Sequence, residues 1–206
     1  MARPAAEFEA RLAPARFVAG AAGPRQFPPA GRPEVAFAGR SNVGKSSLLN
    51  CLLNRRGLAR TSKTPGRTQQ INFFDVADWL YFVDLPGFGY AHVPLKVRAA
   101  WRPLVESYLS SRRNIRLVVL LVDIRRDPGG EERDLLAWLR MNRRPSLIVA
   151  TKADKIPRGR RRARLEAVKK ALDLAEEPIV FSSVSGEGRE ALRAGLFEAC
   201  AGPEQI

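Results

Sequence analysis

An α/β fold, a mainly parallel sheet with helices on both faces, is predicted by three features of this chain. Short continuous apolar runs alternate with amphipathic stretches of helical period, and that βα alternation requires a parallel sheet. The run Gly39-Arg40-Ser41-Asn42-Val43-Gly44-Lys45-Ser46 fits G-x-x-x-x-G-K-[ST] and lies between an apolar segment and a helical one. Two further polar motifs, Asp84-Leu85-Pro86-Gly87 and Thr151-Lys152-Ala153-Asp154, follow directly on apolar runs, at the strand ends where such sheets bind ligands.

The elements follow in order. The lead-in over 1–33 is rich in Ala, Pro, Gly and Arg; Pro24, Pro28, Pro29 and Pro33 exclude a long helix, while Phe17-Val18 is a candidate edge segment. Glu34 to Ala38 reads as a buried strand and Ser47 to Leu53 as a helix. Arg55 to Gln70 is polar, basic and long for a loop inside a compact domain, a length that marks function or disorder. Ile71 to Val76 and Trp79 to Asp84 read as strands joined by a tight turn at Ala77-Asp78, their aromatics in the core. After Phe88-Gly89-Tyr90-Ala91 a helical region runs through Trp101 to Arg113, with Pro103 either starting or kinking it. Leu117 to Val122 is a buried strand, and Glu131 to Asn142 a helix with Leu135, Leu136, Trp138 and Leu139 inward. Ser146 to Ala150 is a strand, the Arg158 to Arg164 run leads a helix through Leu172, and a last strand and loop cover Ile179 to Ser183. Glu187 to Ala199 closes the domain, which spans 34–201 and leaves a short tail at 202–206.

Composition limits the rest. With 206 residues and 45% hydrophobic content the chain suits one domain with a sizeable core and is too short for two. No apolar run approaches a membrane span, and the first residues lack the apolar centre of a secretory signal, with Glu7 and Glu9 arguing against a transit peptide. The chain is therefore read as a cytoplasmic monomer without a membrane partner. Cys51 and Cys200 lie far apart among apolar residues and read as core packing, and His92, with no catalytic partner, as a loop residue. A formal net charge of +14 points to nucleic acid or ribonucleoprotein as a partner.

The motifs carry specific chemistry. In the glycine-containing loop, successive N–H groups turn inward and the following helix adds its positive end, so a polyphosphate is held mainly by main chain. Lys45 is the group to reach β- and γ-phosphates, and the Ser46 hydroxyl a ligand for Mg²⁺. Asp84, at the carboxyl end of a strand, is placed to hold Mg²⁺ through water, and the Gly87 N–H to sense a γ-phosphate. Asp154 can accept both guanine donors, N1–H and the N2 amino group, whereas adenine would leave it unpaired. Sites of that kind discriminate on the order of 10⁴-fold or more, so Asp154 favours GTP over ATP, with the Lys152 stem packed along the base. Phe181-Ser182-Ser183 lies where backbone N–H groups meet the guanine O6.

Taken together, Gly39 to Ser46, Thr64 to Gln69, Asp84 to Tyr90, Thr151 to Asp154 and Phe181 to Ser183 resemble the EngB (YihA/YsxC) family of GTPases, in the TrmE-Era-EngA-EngB-Septin-like class. The resemblance covers about Phe17 to Ala199 and implies a Ras-like GTPase domain with a six-stranded, mainly parallel sheet and one antiparallel edge strand. It implies GTP and GDP as ligands, Ser46, Thr68 and Asp84 as Mg²⁺ ligands, and Gly66, Arg67, Thr68, Gln69 and Gln70 as the first switch segment. Residues alone do not choose Thr68 over Thr61 or Thr64. It further implies a role in assembling the large ribosomal subunit, and through it in cell division and septation. The base motif begins with Thr151 where most GTPases have Asn, as this family does.

Two positions bear on hydrolysis. Ras-type enzymes orient water with a glutamine after the glycine of the second motif; here Phe88 stands there and cannot hydrogen-bond a nucleophile, so intrinsic turnover is expected to be slow. Asn42 resembles the phosphate-loop asparagine with which related GTPases hold K⁺; the alternative is that it braces the loop. Lys45, Asn42 and Gly87 are thus the candidates for catalytic roles. The basic run Arg158 to Arg164 and the residues Arg55, Arg56, Arg60, Lys63 and Arg67 are candidates for ribosomal RNA contact. Besides the assembly switch, the sequence admits a basic GTP-dependent RNA- or protein-binding module whose hydrolysis is incidental. A metabolic P-loop kinase or ATPase is disfavoured by Asp154.

Overall fold

The computed structural model describes residues 14–59, 70–89 and 95–201, and only the backbone at 95–102. Its strands are β1 (Ala15–Ala21), β2 (Glu34–Gly39), β3 (Ile71–Val76), β4 (Leu80–Asp84), β5 (Ile115–Asp123), β6 (Ser146–Thr151) and β7 (Ile179–Val180). Its helices are α1 (Lys45–Leu52), α2 (Leu95–Ser111), α3 (Gly130–Met141), α4 (Arg158–Ala171) and α5 (Arg189–Ala201). The expected helices over 131–142, 158–172 and 187–199 are each present within a few residues.

One sheet runs in the order β1-β3-β4-β2-β5-β6-β7, seven strands where the family resemblance implied six. The additional strand is β1, which covers the outer edge of β3 by pairing Ala15–Ala21 antiparallel to it, with a register shift between Phe17 and Ala19. Phe17 meets Phe74 edge to face at 5.8 Å, so the apolar pair noted in the lead-in does sit on the sheet edge. β3 is antiparallel to both β1 and β4, while β2 is parallel to β4 and β5, and β6 to β5 and β7. The β3–β4 turn is tight because Ala77 and Asp78 both adopt φ of 54°, the type I′ geometry that matches strand twist. The Asp75 carboxylate accepts the Asp78 N–H across it at 2.9 Å.

Alternation along β5 divides the core. Val118, Leu120 and Val122 point into a cluster with Leu104, Tyr108, Leu136, Leu139, Leu165 and Val168, beneath α2, α3 and α4. Val119 and Leu121 point the other way, to Leu48, Leu49, Leu52, Leu192 and Leu196 of α1 and α5. Phe73, Phe74, Tyr81 and Phe82 are all buried, as the sequence pattern predicted. Pro103 lies inside α2 at an exposed position and so neither starts nor ends that helix. Cys200 is buried, which pushes its thiol up to about 12, and Cys51 is partly buried; neither is in a disulfide.

At the amino end of β2 a charge is fully enclosed. Glu34, with no exposed surface, accepts from the Tyr108 hydroxyl at 2.7 Å and from Arg112 Nε at 3.0 Å, and Arg112 Nη2 also bonds it. Arg112 Nη1 donates to the Pro28 carbonyl at 2.9 Å. The end of α2, the start of β2 and the lead-in are thereby joined at one buried carboxylate. Burial and the adjacent Glu34 raise the Tyr108 hydroxyl well above its ordinary value, so it stays a donor. Among the described residues no helix is long and apolar enough to cross a membrane.

Candidate functional site

At the carboxyl edge of the sheet β2 runs into the Gly39 to Ser46 loop, and α1 starts at Lys45. Gly44 turns the chain with φ of 111°, a conformation that side-chain-bearing residues avoid. Asn42 also takes a positive φ, 60°. The loop is knitted to the segment after β4: Ser41 N–H donates to the Phe88 carbonyl at 2.8 Å, Phe88 N–H to the Gly39 carbonyl at 3.3 Å, and Arg40 pairs with Phe88 as an isolated parallel bridge. Gly87 is held close. A Cβ there would stand 3.0 Å from Ser41 Cα and 3.3 Å from Lys45 Nζ, so any larger residue would displace the loop or the lysine.

Inside this cradle Lys45 and Asp84 are both buried, with Nζ 3.9 Å from Asp84 Oδ1. Asn72 hydrogen-bonds the Asp84 carboxylate, yet Asp84 Oδ1 is buried without a hydrogen-bond partner. Burial raises the Asp84 carboxyl above its ordinary value, with Lys45 and Asn72 offsetting part of the effect. A buried oxygen left this way is costly unless a ligand or ion completes it. Ser46 follows Lys45 directly in the first turn of α1. A cation held between oxygens and a polyphosphate held by N–H groups and an ammonium are the chemistry this arrangement fits.

The base motif meets the same loop from β6. Thr151 Oγ1 lies 2.7 Å from the Val43 carbonyl and 3.0 Å from that of Val122. Lys152, with φ of 63°, donates through Nζ to the Asn42 carbonyl at 2.6 Å and to Asp123 Oδ2 at 2.9 Å. Beside it a cavity of about 170 Å³ is lined by residues including Gly44, Ser47, Lys152, Asp154, Phe181 and Ser183. Ala153 N–H donates to the Phe181 carbonyl at 3.1 Å, and Ser182 Oγ to Asp154 Oδ1 at 2.8 Å. Burial works to raise Asp154, but the bonds from Ser182 and Lys155 outweigh it and hold the carboxyl below its ordinary value.

The structure therefore brings Gly39 to Ser46, Asp84 to Gly87, Thr151 to Asp154 and Phe181 to Ser183 to one edge. Leu85 and Pro86 are buried there, and the Phe88 side chain is turned into the core at 2% exposure. Gly66, Arg67, Thr68 and Gln69, with His92, lie outside the described residues. Gln70 is described; it precedes β3 and its side chain lies against Gly20 of β1. Arg40 belongs to the loop through its backbone, and its side chain is engaged elsewhere. Nη2 donates to the Gly89 carbonyl at 3.4 Å and Nε stands 3.9 Å from Glu132, so the guanidinium bridges the post-β4 segment and α3.

Sequence reading missed Asp123. It ends β5, and burial would raise its carboxyl, but bonds from Arg125 and Lys152 outweigh that and hold it well below its ordinary value. Arg125 grips it through Nε at 2.9 Å and Nη2 at 2.8 Å. A carboxylate at a third strand end was the available signal. Asn50 was missed too: its amide exchanges two 2.9 Å bonds with the Ala59 backbone and fastens the chain leaving α1.

The chain matches the 50S ribosome-binding GTPase family over residues 34–152. It is 51% identical over 189 residues to the probable GTP-binding protein EngB of Syntrophus aciditrophicus, covering 92% of this chain and 96% of that one. Against the same protein of Syntrophotalea carbinolica the identity is 53% over 177 residues, covering 85% and 86%. Of solved structures, a probable GTP-binding protein EngB is similar at a TM-score of 0.69 and 24% identity, over 82% of this chain and 98% of that one. Era in complex with MgGDPNP and part of 16S ribosomal RNA is similar at 0.65 and 19%, over 84% and 58%. At such identities these two likenesses show the fold, which is Ras-like.

Proposed function

The chain belongs to the EngB family of GTP-binding proteins and is a GTPase, and on that premise we propose that it is a slow GTP-driven switch in assembly of the large ribosomal subunit, acting through it on cell division. The observation that carries the nucleotide chemistry is the buried Lys45–Asp84 pair with its unpartnered Asp84 Oδ1. The ribosomal part is supported by the description of the matched family and by a net charge of +14, which suits ribosomal RNA.

In this reading the N–H groups of residues 39–46 and the Lys45 ammonium hold the β- and γ-phosphates, and the guanine sits beside Lys152 and Asp154 with Phe181, Ser182 and Ser183 closing its edge. The orphaned Asp84 oxygen fits a magnesium ion, which Ser46 and Asp84 would hold together with Thr68. When bound, magnesium neutralises charge on the β- and γ-phosphate oxygens. Gly87 leaves room beside Ser41 and Lys45 for its N–H to meet a γ-phosphate, which would loosen the Ser41–Phe88 bond and signal the nucleotide state through residues 85–95. Lys45 stabilises charge as it develops, while Phe88, its ring in the core, offers nothing to orient water. Potassium held by Asn42 would add to that charge compensation; faster turnover in potassium than in sodium supports it, and equal turnover reduces Asn42 to a brace of the loop.

The test is co-sedimentation with purified ribosomal subunits, comparing a non-hydrolysable GTP analogue with GDP. Binding to the large subunit favoured by the GTP state supports the switch. Binding indifferent to nucleotide would favour the alternative, a GTP-dependent binding module with incidental hydrolysis, which the buried Phe88 ring also suits.

A further inference from the structure

We propose that the exposed side of α4, extended by Arg126 on the β5–α3 loop, is the surface that grips the phosphate backbone of structured RNA; the proposal deepens the ribosomal reading and rests on it. α4 carries Arg158, Arg160, Arg161, Arg162, Arg164, Lys169 and Lys170 against one acidic residue, Glu166. Its apolar contacts are made on one side only, through Leu165 and Val168.

Some of these cations are committed to the protein. Arg161 holds Glu187 at 2.7 Å, Arg162 holds Glu166 at 3.2 Å, and Arg164 holds Asp127 at 3.0 Å while donating to the Ile124 carbonyl. Arg158, Arg160, Lys169 and Lys170 have no carboxylate partner among the described residues, nor does Arg126 on the loop that Arg164 grips. From Arg158 to Lys170 the helix advances about 18 Å, room for several backbone phosphates.

A solvated helix face does not account for this arrangement. Solvated faces interleave opposite charges, whereas Arg158 and Arg162, like Arg160 and Arg164, are like charges one turn apart, and only the second of each pair is matched by a carboxylate, Glu166 or Asp127. The first turn has no acidic residue, so its cations also oppose the helix dipole. Both penalties vanish when polyanion covers the face. The geometry suits RNA better than an acidic protein patch, because the unpaired cations are spread around the exposed side of α4, and the phosphates of a folded RNA can meet such a spread without a matched fold. α4 starts three residues after Lys155, which lines the guanine cavity, so RNA on this face lies beside that cavity.

The experiment compares R158Q/R160Q/K170Q with a control of equal charge loss, R25Q/R113Q/R189Q, in the full chain bound to a non-hydrolysable GTP analogue. Binding to purified large subunits and to their naked RNA is measured across a salt series, with guanine nucleotide affinity as the check on folding. The α4 variant should lose about tenfold or more in affinity near 0.1 M salt and lower the salt slope by about 3, with the control near wild type. Equal losses in the two variants, or none in either, overturn the surface while leaving the ribosomal reading intact. Loss on subunits with naked RNA binding retained would assign the face to a ribosomal protein and overturn it as well. A wild-type chain that binds neither subunits nor their RNA overturns the ribosomal reading and the surface with it.

Discussion

Strand β2 carries buried charge at both of its ends, and the two ends treat it in opposite ways. At its start Glu34 is saturated: Tyr108 and Arg112 meet both oxygens, and Arg112 has a further acceptor in Pro28. Beyond its finish Lys45 and Asp84 are also buried but stand 3.9 Å apart, with no hydrogen bond to Asp84 Oδ1. The first end is complete in the protein alone. The second is complete only with a ligand, and that incompleteness is what makes it a site.

The largest effect that would sharpen this contrast lies at the incomplete end. Asp154→Ala should bring GTP and ATP affinities together from a separation on the order of 10⁴-fold, read by competition binding. Next comes the saturated end: Glu34→Ala leaves Arg112 and Tyr108 buried without their acceptor, and unfolding free energy should fall by about 3–5 kcal/mol, with nucleotide affinity of the folded protein unchanged. A smaller loss is expected from Asp84→Asn, about 10- to 100-fold in the magnesium dependence of nucleotide binding. Denaturant unfolding of that variant without nucleotide should show no loss of stability, since burial disfavours the Asp84 charge more than Lys45 and Asn72 favour it.

The smallest effect is on pH. Asp123 and Asp154 are held below their ordinary values, so the folded chain binds fewer protons at them than the unfolded chain does. The stability they contribute is therefore full above about pH 4 and is lost as pH falls through their folded values. Asp84, raised by burial, has the opposite sign and recovers stability on protonation. Denaturation midpoints between neutral pH and pH 3 should decline less steeply in Asp123→Asn than in the wild type.

Much of the site was legible because each motif is a local pattern at the end of a strand. Gly39 to Ser46, Asp84 to Gly87 and Thr151 to Asp154 each follow an apolar run, and a parallel sheet gathers such ends at one edge. Phe17-Val18 similarly marked β1, although the sheet numbers seven strands because β1 extends it past β3. What escaped were pairings made across the fold. Arg112 meets Glu34 from 78 residues away and Lys152 meets Asp123 from 29, and no periodicity couples positions so distant. The direction of Arg40 escaped as well: the pattern fixes its backbone in the loop, while Gly89 and Glu132 decide where the guanidinium goes. Pro103 could not be placed because sequence does not reveal which helix carbonyl goes unpaired.

The most direct test is denaturant unfolding of wild type, Glu34→Gln and Asp84→Asn, each with and without a non-hydrolysable GTP analogue and magnesium. Glu34→Gln should lower stability in both conditions and leave the increment from bound nucleotide unchanged, whereas Asp84→Asn should match or exceed wild type alone and lose much of that increment. If Asp84→Asn without nucleotide were destabilised as much as Glu34→Gln, the two ends would be doing the same structural work and the contrast between them would be wrong.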